Sequence, residues 1–209
     1  MKTIKFLTLV LLCIGSIACS SDDDTTPQLL PVNSETISNL HAPQNGGQGQ
    51  PVSGTFAKFN FATGQATTSD TDWDIAFRGT SIIINGGASL GTTDEPARTG
   101  NAAVYIEDGT MSSVTEVKTE NLVQDITSSY AIPSGSGNGW YTYAGPPTHL
   151  INPTPGKILV IKTHDGKYAK VEILSYYKDA PDAPDAFVNE SRYFTFNYVY
   201  QPNDNVTNF

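Results

Sequence analysis

Cysteine is nearly missing from this chain of 209 residues: only Cys13 and Cys19 occur. No disulfide is expected in the body of the protein, which must be held by its own core. Histidine is as scarce. His41, His149 and His164 are far apart in sequence, and without a Cys/His cluster there is no zinc site to read. Basic charge is sparse too: 12 Lys and Arg face 21 Asp and Glu, a formal charge of −9. With no Lys/Arg cluster, docking on nucleic acid or on anionic lipid by charge is excluded. The apolar run Phe6 to Ile14 falls short of the about 20 residues of a membrane-spanning helix.

That run reads instead as the core of an export signal. Lys2 and Lys5 precede it, and Ser16-Ile17-Ala18 lead into Cys19, the layout of a bacterial lipoprotein signal. Residues 1–18 are expected to be removed and Cys19 to be lipidated, although Ser16 stands where such signals more often have Leu. Removing Lys2 and Lys5 leaves 10 basic against 21 acidic residues, and 191 residues in all, enough for one sizeable domain. Ser20-Ser21-Asp22-Asp23-Asp24 resembles the acidic tag that sends Bacteroidetes lipoproteins to the cell surface. The expected location is the outer membrane, surface-exposed, with the lipid anchor as the only membrane contact. Residues 19–50, rich in Ser, Asp, Pro, Gln and Gly, read as a flexible tether with one early strand near Thr36 to Leu40. His41 is then a solvated tether residue. Residues 51–209 form the domain.

Within the domain the signal is period two. Phe59 and Phe61 share a face. Trp73, Ile75 and Phe77 alternate with Asp74, Ala76 and Arg78, the pattern of a half-buried strand. Ser81 to Asn85 and Asn101 to Glu107 are short strands ended by Gly86-Gly87 and Asp108-Gly109. Phe194, Phe196, Tyr198 and Tyr200 line one face of a last strand, Arg192 to Gln201, as a core ladder. Only Ser112 to Asp125 reads as helix, with Ser113 and Glu116 as a capping box. About eight short strands with regular turn signals predict an all-β domain of antiparallel sheets with little helix.

Several motifs look like chemistry and fail in context. Gly87-Ala88-Ser89-Leu90-Gly91 matches G-x-S-x-G, but Thr92-Thr93-Asp94-Glu95-Pro96 cannot supply the helix that must follow a nucleophile elbow. Asp70-Thr71-Asp72-Trp73-Asp74 opens like a calcium loop, yet Ile75 replaces the required Gly and Ser81 the required Glu. Gly135 to Gly139 precedes no helix and is not a phosphate cradle. The protein is therefore read as a non-enzyme.

The chain is organised around Trp140 to Tyr177. Lys157 to Tyr177 is a hairpin, with Leu159 and Ile161 on one face and Ile158 and Val160 on the other. Asp165-Gly166 marks its turn, read as type I′, with His164 as an exposed turn residue. Trp140 to Gly156, broken by Pro146, Pro147, Pro153 and Pro155, is read as an irregular loop. It carries Trp140, Tyr141, Tyr143 and His149, and a rich loop on a rigid stem is where binding lives.

Four stretches in this order carry a family resemblance: Asp72-Trp73-Asp74-Ile75-Ala76-Phe77-Arg78; Trp140-Tyr141-Thr142-Tyr143; the hairpin ending Ile173-Leu174-Ser175-Tyr176-Tyr177-Lys178-Asp179; and Tyr193-Phe194-Thr195-Phe196-Asn197-Tyr198. From about Val52 to Gln201 the chain resembles the HmuY family of haem-binding lipoproteins of Bacteroidetes. The resemblance implies an all-β fold with haem clasped between finger-like loops. It also implies capture of haem from host haemoproteins and delivery to a partner outer-membrane receptor of the TonB-dependent kind. Such proteins hold the iron through His or Met side chains, one of them from the loop after W-Y-x-Y. Here that residue maps to His149. The second ligand lies upstream in the family, where the chain offers Met111 and no histidine. Tyr141 or Tyr143, or a single protein ligand, are the alternatives. Trp140, Tyr141 and Tyr143 are expected against the ring, and no metal other than haem iron is implied. A rival reading makes the same aromatics a sugar platform of a surface glycan-binding or adhesion lipoprotein.

Overall fold

A computed structural model describes residues 28–209. The signal peptide, Cys19 and the acidic tag lie outside the described residues. The described residues form thirteen strands and one short 3₁₀ turn. One sheet has five strands in the order β1 (Asn33–His41), β13 (Ser191–Gln201), β12 (Tyr168–Tyr177), β11 (Lys157–Lys162) and β8 (Ala103–Asp108), all antiparallel neighbours. The other has four, ordered β5 (Gln65–Thr67), β4 (Ala57–Asn60), β6 (Ile75–Arg78) and β7 (Ser81–Ile84). Two small ribbons pair β2 (Asn45–Gly47) with β3 (Gln50–Ser53), and β9 (Tyr141–Tyr143) with β10 (Ile151–Pro153).

The alternation in the hairpin explains the layering. Leu159, Ile161, Ala169 and Val171 join Phe194, Phe196 and Tyr198 in the main core, facing Phe59, Phe61, Ile75 and Phe77 of the smaller sheet. Each fully buried aromatic there contributes about 1.5–3 kcal/mol relative to exposure. The aromatic ladder of β13 is thus core packing, with Phe77 stacked on Phe196 at 5.7 Å. The other face of the large sheet is also covered. Ile158, Val160, Tyr105 and Tyr168 pack with Val114 and Val117. β6 is likewise buried on both faces: Ile75 and Phe77 enter the main core, while Ala76 joins Trp73, Phe56 and Ile83 on the far side. The expected half-buried strand, with Trp73 beside Ile75, is therefore corrected. Trp73 precedes the strand and packs on its far face with Ala76, and Arg78 lies over Phe56 at 4.1 Å rather than in solvent.

Four further expectations change. The segment 33–50 belongs to the domain: β1 pairs with β13 along its length, Ile37 opposite Phe196. Its side chains are mostly exposed because it is an edge strand, held by the ladder more than by apolar pattern. His41 stacks on Tyr193 at 4.4 Å. The 112–125 stretch holds only the turn Thr119–Asn121. Its backbone pairs with the C-terminal tail, Val117 N donating to Thr207 O and Phe209 N to Thr115 O, and Lys170 Nζ takes the carbonyls of Met111 and Val114 at 2.7 Å each. Long-range partners replace the i−4 bonds a helix needs. The hairpin turn has positive φ at Gly166 alone (96°), and Gly166 N bonds Thr163 O, so it is not type I′, which requires two such residues. Finally, Trp140 to Gly156 is not irregular throughout. It contains the β9–β10 ribbon, whose prolines sit at the tip or at the end of β10, where no ladder donor is lost.

Candidate functional site

The β9–β10 ribbon projects from the core on two aromatic anchors. Trp140 is 2 % exposed, packs against Tyr176 and Phe194, and donates its Nε1–H to Thr80 O at 3.0 Å. The hydroxyl of Tyr177, also buried, accepts from Ile151 N–H at 3.0 Å and so ties β10 to β12. Residues 144–150 form the tip. Ala144 N bonds Leu150 O, and His149 N bonds Gly145 O. This tight return places His149 at φ 53°, in the left-handed region, a conformation that costs a non-glycine residue of order 1–3 kcal/mol and is held by its surroundings.

The tip overhangs a cavity of about 520 Å³, within the roughly 300–1,000 Å³ range of small-molecule sites. His149, Tyr143 and Phe187 line it as one contacting group, and Tyr176, Tyr177 and Arg192 line it as well. Further sides come from the turns at Gln44–Gln48 and Gly79–Thr80. The lining thus combines the ends of β9, β10, β12 and β13 with the loops between them. The imidazole of His149 is exposed, its Nδ1 hydrogen-bonded to the Tyr143 hydroxyl, and Phe187 meets it edge-on at 5.7 Å. A bond at Nδ1 fixes the ring's orientation and leaves Nε2 as the free nitrogen, the usual preparation of a metal-binding histidine. Tyr176 is buried, and desolvation pushes its hydroxyl up to about 12, with Arg192 beside it pulling the other way. It stays a neutral donor. The arrangement offers one imidazole nitrogen, apolar and aromatic walls, hydroxyls and one guanidinium. That set suits a flat, metal-bearing ligand.

The other residues singled out in the sequence fall elsewhere. Trp140 and Tyr141 are 2 % and 7 % exposed and belong to the main core. They position the ribbon and do not face the cavity; of the three aromatics only Tyr143, 44 % exposed, lines it. A sugar platform built on all three is not present. Met111 packs with the cluster on the far face of the large sheet and lines a separate depression with Ser34, Thr36 and Val199. The structure does not bring it to His149. Ser89 sits in a loop with no helix after it, its Oγ accepting from Gly91 N at 3.0 Å.

Sequence reasoning missed Phe187, Tyr176 and Arg192, which come from the polar connection after β12 and its flanks. Only pairing of β12 with β13 brings these to the ribbon. It also misread His164. This side chain is half-buried and bonds Asp74 Oδ1 through Nδ1 at 2.7 Å, with Asp72 at 3.3 Å from Nε2. Its hydrogen bond to Asp74 raises its pKa, against desolvation. Asp74, Asp165 and His164 bring ligand atoms within 4.8 Å of one another. Yet Asp74 already accepts from Phe61 N, His164 N and the imidazole, and Asp165 pairs with Lys167 at 2.9 Å. The cluster is a clasp between the hairpin turn and the start of β6.

The class so defined is an all-β protein of antiparallel sheets that carries a cleft on its loops. The chain belongs to the HmuY family, whose model, described as HmuY protein, matches residues 54–198. Among solved structures, the apo HmuY analogue of Tannerella forsythia is similar with a TM-score of 0.51 at 16 % identity, covering 84 % of this chain and 100 % of that one. A Bacteroides vulgatus protein described as HmuY-like and heme-binding gives 0.46 at 16 % identity, covering 82 % and 93 %. A Bacteroides fragilis protein described as a lipoprotein gives 0.44 at 15 %, covering 82 % and 90 %. No curated protein matches the sequence. Among the described residues, no helix is long and apolar enough to cross a membrane.

Proposed function

We propose that this chain is a haem-binding lipoprotein that captures haem in the β9–β10 cleft and hands it to an outer-membrane uptake receptor. It acts as a carrier with no catalytic step. The observation that carries the reading is His149: an exposed imidazole, oriented at Nδ1 by the Tyr143 hydroxyl, on the wall of an aromatic-lined cleft in a chain of this family. Nε2 of His149 takes the iron, and Phe187 and Tyr143 shield the ring from water. Membership in a family that resembles lipid-anchored haem carriers supports acylation at Cys19, removal of residues 1–18 and display at the cell surface. Residues 20–32 then give the domain its reach from the membrane.

Titration of the full chain with haemin, read at the Soret band in the ferric and ferrous states, tests this. Binding is expected to shift and sharpen the band, and His149→Ala to change both its position and the affinity. A haemin spectrum unaltered by the protein in both states refutes haem capture. A wild-type spectrum from His149→Ala refutes the ligand assignment alone.

A further inference from the structure

The cleft contains one permanently charged side chain, Arg192, in a chain whose formal charge is −9. The sequence holds only three arginines. Two are committed to structure. Arg98 is buried between Glu95 and Asp125. Arg78 is capped by Gly54 O, Thr93 O and Thr92 Oγ1 over the Phe56 ring. Arg192 differs: among the described residues it forms no ion pair with a carboxylate. Its guanidinium donates from Nη1 to Gln44 O at 2.5 Å and lies beside the Tyr176 hydroxyl. A guanidinium has five N–H donors in a flat fork matched to a carboxylate, so the fork is steadied with donors to spare.

The backbone points the same way. Arg192 has φ 70° at the start of β13, and its carbonyl accepts from Ala42 N at 2.8 Å. A long side chain in the left-handed region costs of order 1–3 kcal/mol, and such strain gathers at ligand clamps. Here Arg192 lines the same cleft as His149.

We propose that Arg192 is the carboxylate anchor of the cleft, so that its ligand is a flat ring bearing acid groups, gripped at the metal by His149 and at a carboxylate by Arg192. The proposal rests on the haem reading for the identity of the ring, whose propionates supply the acid groups. It goes beyond that reading by making the charge of the ligand a condition of binding.

The test uses the full chain, haemin, metal-free protoporphyrin IX and the dimethyl esters of both. Affinities come from Soret absorbance and from quenching of tryptophan fluorescence. Arg192→Gln is expected to weaken both free-acid porphyrins about tenfold to a hundredfold, the size of a hydrogen bond to a charged group. The Soret position of bound haemin stays that of the wild type, because the iron ligand is untouched. Arg192→Lys restores part of the loss. The dimethyl esters bind the wild type about tenfold to a hundredfold more weakly than the free acids do, a comparison that needs no variant to fold. If esters and acids bind the wild type equally, the anchor is refuted while a His149-dependent Soret shift keeps haem capture intact. If haemin gives no shift but metal-free porphyrin binds through Arg192, iron ligation falls and the anchor stands.

Discussion

Arg98→Met should be among the most damaging single changes in the domain. Arg98 sits at the centre of a buried triad. Its Nη2 is 2.7 Å from Glu95 Oε1 and 2.8 Å from Asp125 Oδ2, and the three side chains are 0–1 % exposed. Its Nη1 donates to Pro96 O at 2.7 Å. Losing one partner of a buried ion pair costs about 3–5 kcal/mol, because the remaining charge stays buried. Both carboxylates keep other donors: Glu95 holds Leu90 N, Thr92 N and Thr92 Oγ1, and Asp125 holds Ala131 N and Ile84 N. The expected loss therefore lies near the lower end, about 3 kcal/mol, a large part of the 5–15 kcal/mol on the order of which domains are stable. Urea unfolding followed by tryptophan fluorescence measures it, with Trp73 as a local reporter 5.9 Å below the guanidinium. The pH dependence identifies the cause. Burial already raises the Asp125 carboxyl, with the Ala131 amide and Arg98 pulling it back. A carboxyl raised in the folded state binds its proton there before it does so in the unfolded chain, so its burial costs less as pH falls. The deficit of Arg98→Met should shrink between pH 7 and pH 5, and Arg98→Met with Asp125→Asn should cost less than the sum of the singles. A deficit under about 1 kcal/mol, or one that does not change with pH, would show that the triad does not hold the 86–99 loop.

The clasp at His164 should make stability fall in mildly alkaline solution. His164 is raised by its bond to Asp74, so its contribution is complete below the unfolded value near 6.5 and fades as pH rises through the higher folded value. Thermal midpoints of wild type and His164→Gln should converge above that window, and a constant gap from pH 5 to pH 9 would refute the ion pair. Met111→Leu should leave the haemin spectrum and affinity unchanged, since Met111 packs on the far face of the large sheet; a shifted Soret band in that variant would place its sulfur on the iron.

The hairpin and the last strand were legible because their neighbours do not change the pattern. Leu159 and Val160 alternate between two cores that both exist, and Phe194 to Tyr200 needs only one apolar face. Of β1 only the part near Thr36 to Leu40 was legible, and its place in the domain was not, because an edge strand held by backbone pairing leaves little trace in side chains, as its exposed Asn33, Ser34 and Glu35 show. The β9–β10 ribbon was hidden by prolines that a ladder tolerates at its ends. The W-Y-x-Y motif was read as one functional surface, but the three aromatics differ by an accident of tertiary position. Trp140 finds Thr80 O and Tyr141 finds the core, while Tyr143, beyond both, is left beside His149. The spacing of residues cannot separate these fates. His149 itself was legible as the single histidine of a rich loop, whereas Arg192 and Phe187 required knowing where β12 ends and β13 begins.

The family motif therefore belongs to the scaffold more than to the ligand. Trp140 and Tyr177 hold the two strands of the ribbon to the turn at Thr80 and to β12 through one hydrogen bond each. The same turn and the same end of β12 line the cleft. Core and cleft are thus joined at fixed points at the base of the ribbon. A chain can keep the buried anchors, and with them the fold, while exchanging the side chain at the tip. In this chain the W-Y-x-Y stretch supplies those anchors, while Met111 packs on the far face of the large sheet. On the proposed reading, affinity for a metal-bearing ring depends on few groups: the His149 imidazole, the Arg192 guanidinium and the aromatic side chains Tyr143 and Phe187.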